Sequence, residues 1–184
     1  MITMTGTLIT LEPLDIEKHA EGYWRVCQDP QVHEYTGNTV PVRIEETIAL
    51  LKKYETYFFN WIILSNETRE VIGLIRLGKP GIKDGIPVAG ESVFLASPYW
   101  RKGHTKEAKR LFYPYVFDTL LVEKLFADVW EGNINSIKSL EFYGYHLIET
   151  RKEFFSKTGE DSLKYVYCLT RNEYRRLFQN TDES

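Results

Sequence analysis

A short basic loop at residues 101–105 has the residue types that bind an anionic group. It reads Arg-Lys-Gly-His-Thr, follows the apolar run at residues 93–96 and opens a long segment with helical spacing. The first N–H groups of a helix lack intrahelical partners and carry partial positive charge. Gly103 also has no side chain to keep a diphosphate from the backbone. The loop is therefore a candidate diphosphate site, and an ordinary turn with solvated basic residues is the alternative.

A second polar cluster follows the next apolar run. Residues 125–130 read as a strand, and Asn133 and Ser136 then stand at the start of a shorter helical segment. Two strands that each lead into a helix N-terminus would form a site for a phosphate-bearing ligand. Asn is also a preferred N-cap residue, so capping of this helix is an alternative and compatible role for Asn133.

The composition indicates one soluble globular domain over residues 1–184. The chain is 43% hydrophobic and 27% charged, and its net charge of −3 predicts no binding of nucleic acid or membrane. Cys27 and Cys168 lie far apart in apolar surroundings, which is typical of free thiols in a reducing compartment. No His, Cys or Asp spacing predicts a metal site. No signal-peptide pattern or apolar run of ~20 residues occurs, so we expect a cytoplasmic protein.

The hydrophobic spacing predicts a mixed α+β (α/β) fold with one sheet. We expect strands at residues 7–12, 61–64, 71–77, 93–96 and 125–130, and on both sides of a hairpin turn at 157–161. We expect helices at residues 15–26, 41–57 and 171–178, and after residues 103 and 133. Residues 31–41 and 78–87 contain Gly and Pro and are expected to be loops.

The segment after residue 103 is expected to be the crossover helix that two parallel strands require. Its apolar face consists of Ala108, Leu111, Phe112, Tyr115, Val116 and Thr119. Pro114 removes the hydrogen bond to the Arg110 carbonyl and should kink the helix.

Motifs in a fixed order resemble the GNAT superfamily of N-acetyltransferases between residues 7 and 170. WRKGHTKEA places Gly103 at the central glycine of the family loop Q/R-x-x-G-x-G/A, and residues 107–108 at the Glu-Ala that follows it. ADVWEGNINSIKSLEFYGY matches N-x-x-S…L-E-x-x-G-F, and TLITLEPLD is similar to L-x-L-R-P-L with Glu12 replacing Arg. Trp100 and Thr105 depart from the loop pattern. The chain most resembles the ribosomal-protein N-terminal acetyltransferases, the RimJ/RimL type.

This resemblance implies a GNAT-type fold and acetyl-CoA as cofactor, with CoA as product. The fold has a central mixed, mostly antiparallel sheet of about seven strands, splayed at strands 4 and 5 and flanked by helices. Pantetheine is expected to bind backbone groups freed at the splay, in the manner of an added strand. The implied cofactor-binding residues are Phe94, Leu95, Ala96, Ser97, Arg101, Lys102, Gly103, His104, Thr105, Lys106, Asn133 and Ser136.

The resemblance also implies catalytic residues. Glu91 stands where histone-type members carry a catalytic glutamate and could take a proton from the amine, while Asp128 and Glu131 are weaker candidates. The usual acidic tyrosine is replaced by Leu140. Ser136 is then the implied group near the sulfur. A hydroxyl is a far weaker acid than a thiol of pKa ~8.5, so Ser136 is expected to donate a hydrogen bond or relay a proton.

The expected activity is direct acetyl transfer to a primary amine. A protein N-terminal α-amine is the first choice, because its pKa near ~8 makes it easier to deprotonate than a lysine amine near ~10.4. The loop at residues 31–41 and the hairpin at 155–161 are expected to form the acceptor walls. Trp24, Tyr35 and Trp61 are candidate lining residues, and the alternative is that they belong to the core, where single aromatic residues are more often found. The alternatives are a polyamine or aminoglycoside acceptor, or a non-catalytic acyl-CoA-binding module. A homodimer is left open.

Overall fold

One mixed sheet organises the computed structural model, which describes residues 1–36 and 39–179. Its nine strands are β1 (Met4–Thr5), β2 (Ile9–Pro13), β3 (Phe58–Ser65), β4 (Val71–Gly78), β5 (Gly81–Lys83), β6 (Ile86–Leu95), β7 (Lys124–Trp130), β8 (His146–Phe155) and β9 (Glu160–Thr170). The spatial order is β1-β2-β3-β4-β6-β7-β9-β8, and β5 pairs with β6. Among the described strands, β6 and β7 are the parallel neighbours. The expected mixed, mostly antiparallel sheet is confirmed, and β1 and β5 are short additions to the seven strands expected.

Helices cover both faces of this sheet. They are α1 (Ile16–Cys27), α2 (Pro30–His33), α3 (Ile44–Tyr57), α4 (His104–Pro114), α5 (Ile134–Phe142) and α6 (Arg171–Tyr174). Asp15 caps α1 as expected, whereas α3 begins three residues later than predicted and α2 extends into the predicted loop 31–41. Residues 37 and 38 of that loop lie outside the described residues. No helix in the part of the chain that the structure describes is long and apolar enough to cross a membrane.

The sheet separates two hydrophobic clusters. Tyr23 of α1 and Leu51 of α3 pack with Leu74 on one face. Phe112 of α4 and Leu140 of α5 pack with Leu125 on the other. Side chains of a strand alternate between faces, and the central strands β3 and β4 contribute buried residues to both clusters.

Trp61 belongs to this core and does not line an acceptor wall, so of its two expected roles the structural one is present. Its side chain is fully buried and makes edge contacts with Phe112 and Tyr115, at centroid distances of 5.5 and 5.4 Å. Its indole N–H donates to the Ile2 carbonyl at 2.9 Å. The residue therefore joins β3 to the crossover helix.

The crossover helix changes its hydrogen-bond pattern at Pro114. Beyond α4 the chain continues as a π turn at Tyr115–Thr119, and the Leu120 N–H donates to the Tyr115 carbonyl at 2.9 Å. Proline lacks the N–H that would complete the α pattern, and a wider turn accommodates this loss. Phe112 and Val116 of the predicted apolar face are fully buried, as are Tyr113 and Phe117.

Glu107 fastens the start of the sheet to the first turn of α4. Its Oε1 accepts the Thr7 N–H at 2.8 Å, and its Oε2 accepts the Leu8 and Ile9 N–H groups at 2.7 and 2.8 Å. A Cβ at Gly6 would lie only 2.5 Å from the Glu107 carboxyl carbon. The carboxylate thus satisfies three backbone donors, two that precede β2 and one at its first residue.

Replacement of this carboxylate should destabilise the fold. In Glu107→Gln an uncharged amide replaces the carboxylate, and the NH2 group of this amide faces backbone N–H groups that need an acceptor. We therefore expect a loss of about 1–3 kcal/mol in the free energy of unfolding. Urea denaturation measures it. Glu67→Gln, at an exposed turn, is the matched control. Equal midpoints for the two variants would contradict this account.

Candidate active site

The parallel pairing of β6 and β7 ends within the sheet. The pairs are Val88 with Lys124, Ala89 with Leu125 and Gly90 with Phe126. Beyond Gly90, β6 remains paired to β4 as far as Leu95, and β7 remains paired to β9 as far as Trp130. The two strands therefore separate while each keeps its outer partner. We call the gap between residues 91–95 and 127–130 the strand opening.

Helix α4 begins beside the strand opening without a side-chain cap. Its N-cap residue, Gly103, has φ 87°, and no side chain accepts from the first turn. Arg101, two residues earlier, also has a positive φ of 57°. A non-glycine residue in this region is uncommon and strained. The first N–H groups of α4 are thus available to an anion, and the positive end of the helix dipole favours one.

Helix α5 begins on the other side of the same gap. Asn133 caps it by accepting the Ser136 N–H at 3.1 Å, so the capping role considered from the sequence is present. The Arg101 guanidinium approaches the Asn135 side-chain oxygen at 3.5 Å, a long contact between the two helix starts. Ser136 and Asn133 both face the space between the helices.

A cavity of about 920 Å³ extends through the strand opening and past both helix starts. The predicted site residues that line it are Glu91, Phe94, Leu95, Arg101, Gly103, Thr105, Lys106, Asn133 and Ser136. Ala96, Ser97, Lys102 and His104 lie next to these residues but outside the lining. Ser97 instead donates its N–H to the Asp29 carboxylate at 2.6 Å, which joins α2 to the end of β6.

Trp100 closes part of the free edge of β6. Its indole N–H donates to the Leu95 carbonyl at 2.6 Å, and its side chain lines the cavity. This carbonyl therefore has a donor already. Trp100 stands where the sequence pattern expects Gln or Arg, and here it supports the strand end at the opening.

Glu91 lies immediately beyond the last β6–β7 pair, with its side chain under α4. Its Oε1 accepts from the Lys109 ammonium at 2.7 Å, the Tyr145 hydroxyl at 2.8 Å and the Tyr113 hydroxyl at 3.3 Å. The side chains of Glu91 and Lys109 are only 2% and 4% exposed. Oε2 of Glu91 is buried and has no hydrogen-bond partner within the described chain. The carboxylate is thus one half of a buried ion pair with one oxygen unused.

Aromatic rings surround the Lys109 ammonium. It lies 4.8 Å from the Tyr143 ring centroid, 5.2 Å from that of Tyr145 and 5.6 Å from that of Tyr113. Burial raises the pKa of the Tyr143 hydroxyl to about 12, and the negative charge of Glu91 adds to the effect. The same two causes raise the pKa of Tyr113 and Tyr145. These hydroxyls remain protonated and can donate.

The two weaker carboxylate candidates have other partners. Glu131 accepts from the Leu163 N–H and the Ser162 hydroxyl, both at 2.9 Å, and these bonds lower its pKa. A lowered pKa makes a carboxylate a poorer base. Asp128 lines the cavity and lies 3.5 Å from the Lys164 ammonium.

The opposite face of the opening forms a second half of the cavity. Ser92 and Phe94 of β6 line it together with Arg76 of β4, and residues 31–36 of α2 and its following turn complete the wall. The Lys157 ammonium of the β8–β9 hairpin donates to the His33 carbonyl. The predicted loop and hairpin thus meet near this half, and Tyr35 lines it while Trp24 does not.

A splayed parallel pair beside an uncapped helix start matches the resemblance noted in the sequence, and a family model agrees. The model described as "Acetyltransferase (GNAT) domain" matches residues 9–146. The chain belongs to the GNAT acetyltransferase family. Among curated proteins, this acetyltransferase is 24% identical over 179 residues to the uncharacterized N-acetyltransferase p20 of Bacillus licheniformis, covering 95% of this chain and 99% of p20.

Solved structures of other GNAT proteins share the fold. A GCN5-related N-acetyltransferase from Brucella melitensis superposes with TM-score 0.85 at 20% identity, over 98% of this chain and 84% of the other. Spermidine N-acetyltransferase from Vibrio cholerae, in complex with CoA and spermine, superposes with TM-score 0.77 at 16% identity, over 92% of this chain and 99% of the other. Ribosomal-protein-S5-alanine acetyltransferase from Vibrio fischeri superposes with TM-score 0.75 at 11% identity, over 95% of this chain and 99% of the other. These likenesses show the fold of the acetyltransferase.

Two charged residues of the acetyltransferase site were missed in the sequence. Lys109 was not singled out, although it follows the buried position 108 and precedes the buried position 112. Arg76 was placed in a strand without comment. A lone cation inside an otherwise apolar strand, VIGLIRLG, was a usable signal, because a charge there needs a partner or an opening.

The buried ion pair makes a sharp stability prediction. Lys109→Met leaves Glu91 buried without its cation, which should cost about 3–5 kcal/mol in the free energy of unfolding. The double variant Glu91→Gln/Lys109→Met removes both charges and should lose less than the sum of the single losses. Chemical denaturation of the four proteins completes the cycle. Additive losses would show that the two side chains do not stabilise each other.

Proposed function

We propose that this chain is an acetyl-CoA-dependent N-acetyltransferase that moves an acetyl group directly to a primary amine. The observation that carries this proposal is the strand opening beside the uncapped start of α4. No cysteine lies on residues 91–145, and both cysteines of the chain are buried, with burial raising the pKa of each thiol to about 11. An acetyl-cysteine intermediate is therefore not part of the proposal.

The described residues fit acetyl-CoA. The N–H groups of residues 103–106 and the positive side chains of Arg101 and Lys106 suit a diphosphate, and the free edge of β6 suits the amide groups of pantetheine. Bound there, the cofactor supplies an acetyl thioester. Asn133 and Ser136 face the same cavity from α5 and are proposed to lie at its reacting end.

Cofactor binding is tested by isothermal titration with acetyl-CoA. Gly103→Val places a branched side chain where the backbone has φ 87°, which disfavours the loop and obstructs approach to the amides. We expect the affinity to fall by roughly 10-fold or more, as expected from the loss of a charge-assisted hydrogen bond. Gly159→Val, at a hairpin turn with φ 74°, is the matched control for backbone strain. A wild-type protein that binds no acetyl-CoA would refute the proposal.

For the acceptor we propose a protein N-terminal α-amine. The acceptor half of the cavity is open along residues 31–36 and contains the carboxylates of Glu34 and Asp128 rather than a dense acidic cluster. Such a wall suits a peptide backbone better than a polycation. Ribosomal-protein-S5-alanine acetyltransferase from Vibrio fischeri shares the fold, and so does spermidine N-acetyltransferase from Vibrio cholerae. A small amine is therefore the second candidate acceptor.

Glu91 and Ser136 are proposed to move protons. Glu91 presents Oε2, the oxygen without a hydrogen-bond partner, and this atom could take the amine proton through a water molecule. Lys109 and the two tyrosine hydroxyls hold the other oxygen in place. Ser136 would donate a hydrogen bond to the leaving thiolate. Tyr143, with a pKa of about 12, is also too weak an acid to transfer its proton completely to a thiolate.

Both roles are tested by steady-state kinetics. Glu91→Gln and Ser136→Ala should each lower kcat by roughly 100-fold, the lower range of general acid–base contributions, and change the affinity for acetyl-CoA much less. Ser139→Ala, one turn further along α5, is the control for Ser136. An unchanged kcat in either variant would remove that residue from the mechanism.

A kinetic assay of CoA release also distinguishes the enzyme from a non-catalytic acyl-CoA-binding module. CoA release is measured with a panel of peptides and small amines. Acetyl-CoA binding without release of CoA above the hydrolysis rate for any amine would favour the module over the enzyme.

A further inference from the structure

Arg76 occupies an unusual position in the acceptor half of the cavity. Its guanidinium carbon lies 4.2 Å from the Tyr54 ring centroid, 4.7 Å from that of Phe58 and 4.9 Å from that of Phe94. Its Nε donates to the Ser92 hydroxyl at 2.6 Å. The side chain is half-buried and lines the cavity. Three rings and one hydrogen bond therefore fix the guanidinium before any ligand binds.

The positive charge of Arg76 has no negative partner in the described parts of the chain. None of the ion pairs within residues 1–36 and 39–179 includes it. Burial raises the pKa of the Tyr54 hydroxyl, although the charge of Arg76 acts in the opposite direction. Because the net shift of the pKa is upward, Tyr54 stays neutral and gives Arg76 no negative charge. Aromatic rings offset part of the free-energy cost of removing a cation from water. A half-buried guanidinium still favours an anion that can accept hydrogen bonds from its remaining N–H groups.

Arg76 also lies close to the strand opening. It is directly opposite Ser92 in the β4–β6 ladder, and Ser92 is two residues beyond Gly90, where β6 leaves β7. Leu74, on the same face of β4, packs against α1 and α3, so Arg76 points to the side of the sheet away from α4. That side is the acceptor half in the proposed function. An anion bound to Arg76 would therefore lie near the reacting amine.

We propose that the acceptor carries a carboxylate near its amine and that Arg76 binds this carboxylate. The inference rests on the proposed function and deepens it, because it names an acidic first residue, Asp or Glu, in the peptide acceptor. The Nε position is used by Ser92 and the Tyr54 hydroxyl also interacts with the guanidinium, so a planar two-oxygen partner would be held by the remaining N–H groups of the terminal nitrogens. One guanidinium balances the single charge of a carboxylate, whereas a phosphate dianion would retain excess negative charge.

The carboxylates already present in this half do not compete for Arg76. Asp128 lies beside Lys164, and Glu34 is exposed at the turn after α2, where it interacts with the Tyr35 hydroxyl. Both would instead repel a second anionic group, so the preferred acceptor has its negative charge confined to the position next to Arg76. A polyamine offers no group for the guanidinium and would meet its positive charge.

The wild-type protein alone can overturn this inference. Four peptides that differ in their first residue, Glu, Gln, Asp or Asn, are compared by kcat/KM for CoA release. We expect the acidic member of each pair to be preferred by roughly 10- to 100-fold, the range for a charge-assisted hydrogen bond. Measurable turnover with equal values within each pair would refute the inference and leave the proposed acetyltransferase intact.

Variants assign the preference to Arg76. Arg76→Gln should reduce the acidic preference to about 3-fold or less while acetyl-CoA affinity stays unchanged, and Arg76→Lys should retain part of it, since a lysine keeps the charge and loses the planar fork. Arg69→Gln, at an exposed turn, removes the same charge and should keep the full preference. An acidic preference that survives in Arg76→Gln would refute the role of Arg76.

Equilibrium titration separates the two levels of failure. The same four peptides are titrated into the wild-type protein saturated with CoA, which requires no turnover. Tighter binding of the acidic peptides supports the inference even in a protein without activity, which would then refute only the proposed enzymatic role. Binding of neither member of a pair would refute the peptide acceptor and the Arg76 inference together.

Discussion

The separation of β6 from β7 after Gly90 and Phe126 is the constraint on which the site depends. Parallel strands gain a hydrogen bond for each further pair, so the ladder would continue unless other interactions competed. Directly beyond the last pair, Glu91 contacts Lys109, Tyr113 and Tyr145, and these contacts hold β6 against α4 and against the residue that precedes β8. Desolvation makes a buried ion pair a poor source of net stability. Its value here lies in fixing where the strands part.

The opening divides the cavity into halves with different electrostatics. On the α4 side, the uncapped helix start and basic side chains favour a diphosphate. On the other side, one guanidinium stands among aromatic rings and two separated carboxylates. Trp100 contributes at the boundary, because its bond to Leu95 supports the free end of β6. In the proposed function, the same strand therefore presents an edge to the cofactor and a face to the acceptor.

Most of the fold could be predicted from the sequence, because hydrophobic spacing and turn residues act locally and because the motifs follow one another in the order typical of the GNAT family. Hydrophobic spacing located the crossover helix, and Gly103 and Asn133 identified the two helix starts, since these residues have conformational or capping roles that are local. The missed residues depend on tertiary contacts. Nothing near Lys109 in the chain indicates that residue 91, on a separate strand, is its partner. For Trp61 the sequence left core and acceptor wall open, because burial of an aromatic side chain cannot be read from its neighbours in sequence.

The three backbone bonds to Glu107 bear on how the chain reaches this structure. They join residues 98 to 100 positions apart, so the N-terminal segment leaves the ribosome long before its carboxylate partner is made. At typical rates of about 5–20 residues per second, the wait lasts roughly 5 to 20 seconds. During this interval the N–H groups of residues 7–9 are unpaired, and an emerging strand with a free edge is open to pairing with another chain. The formation of the first turn of α4 therefore also ends the interval in which the N–H groups of residues 7–9 lack their carboxylate partner.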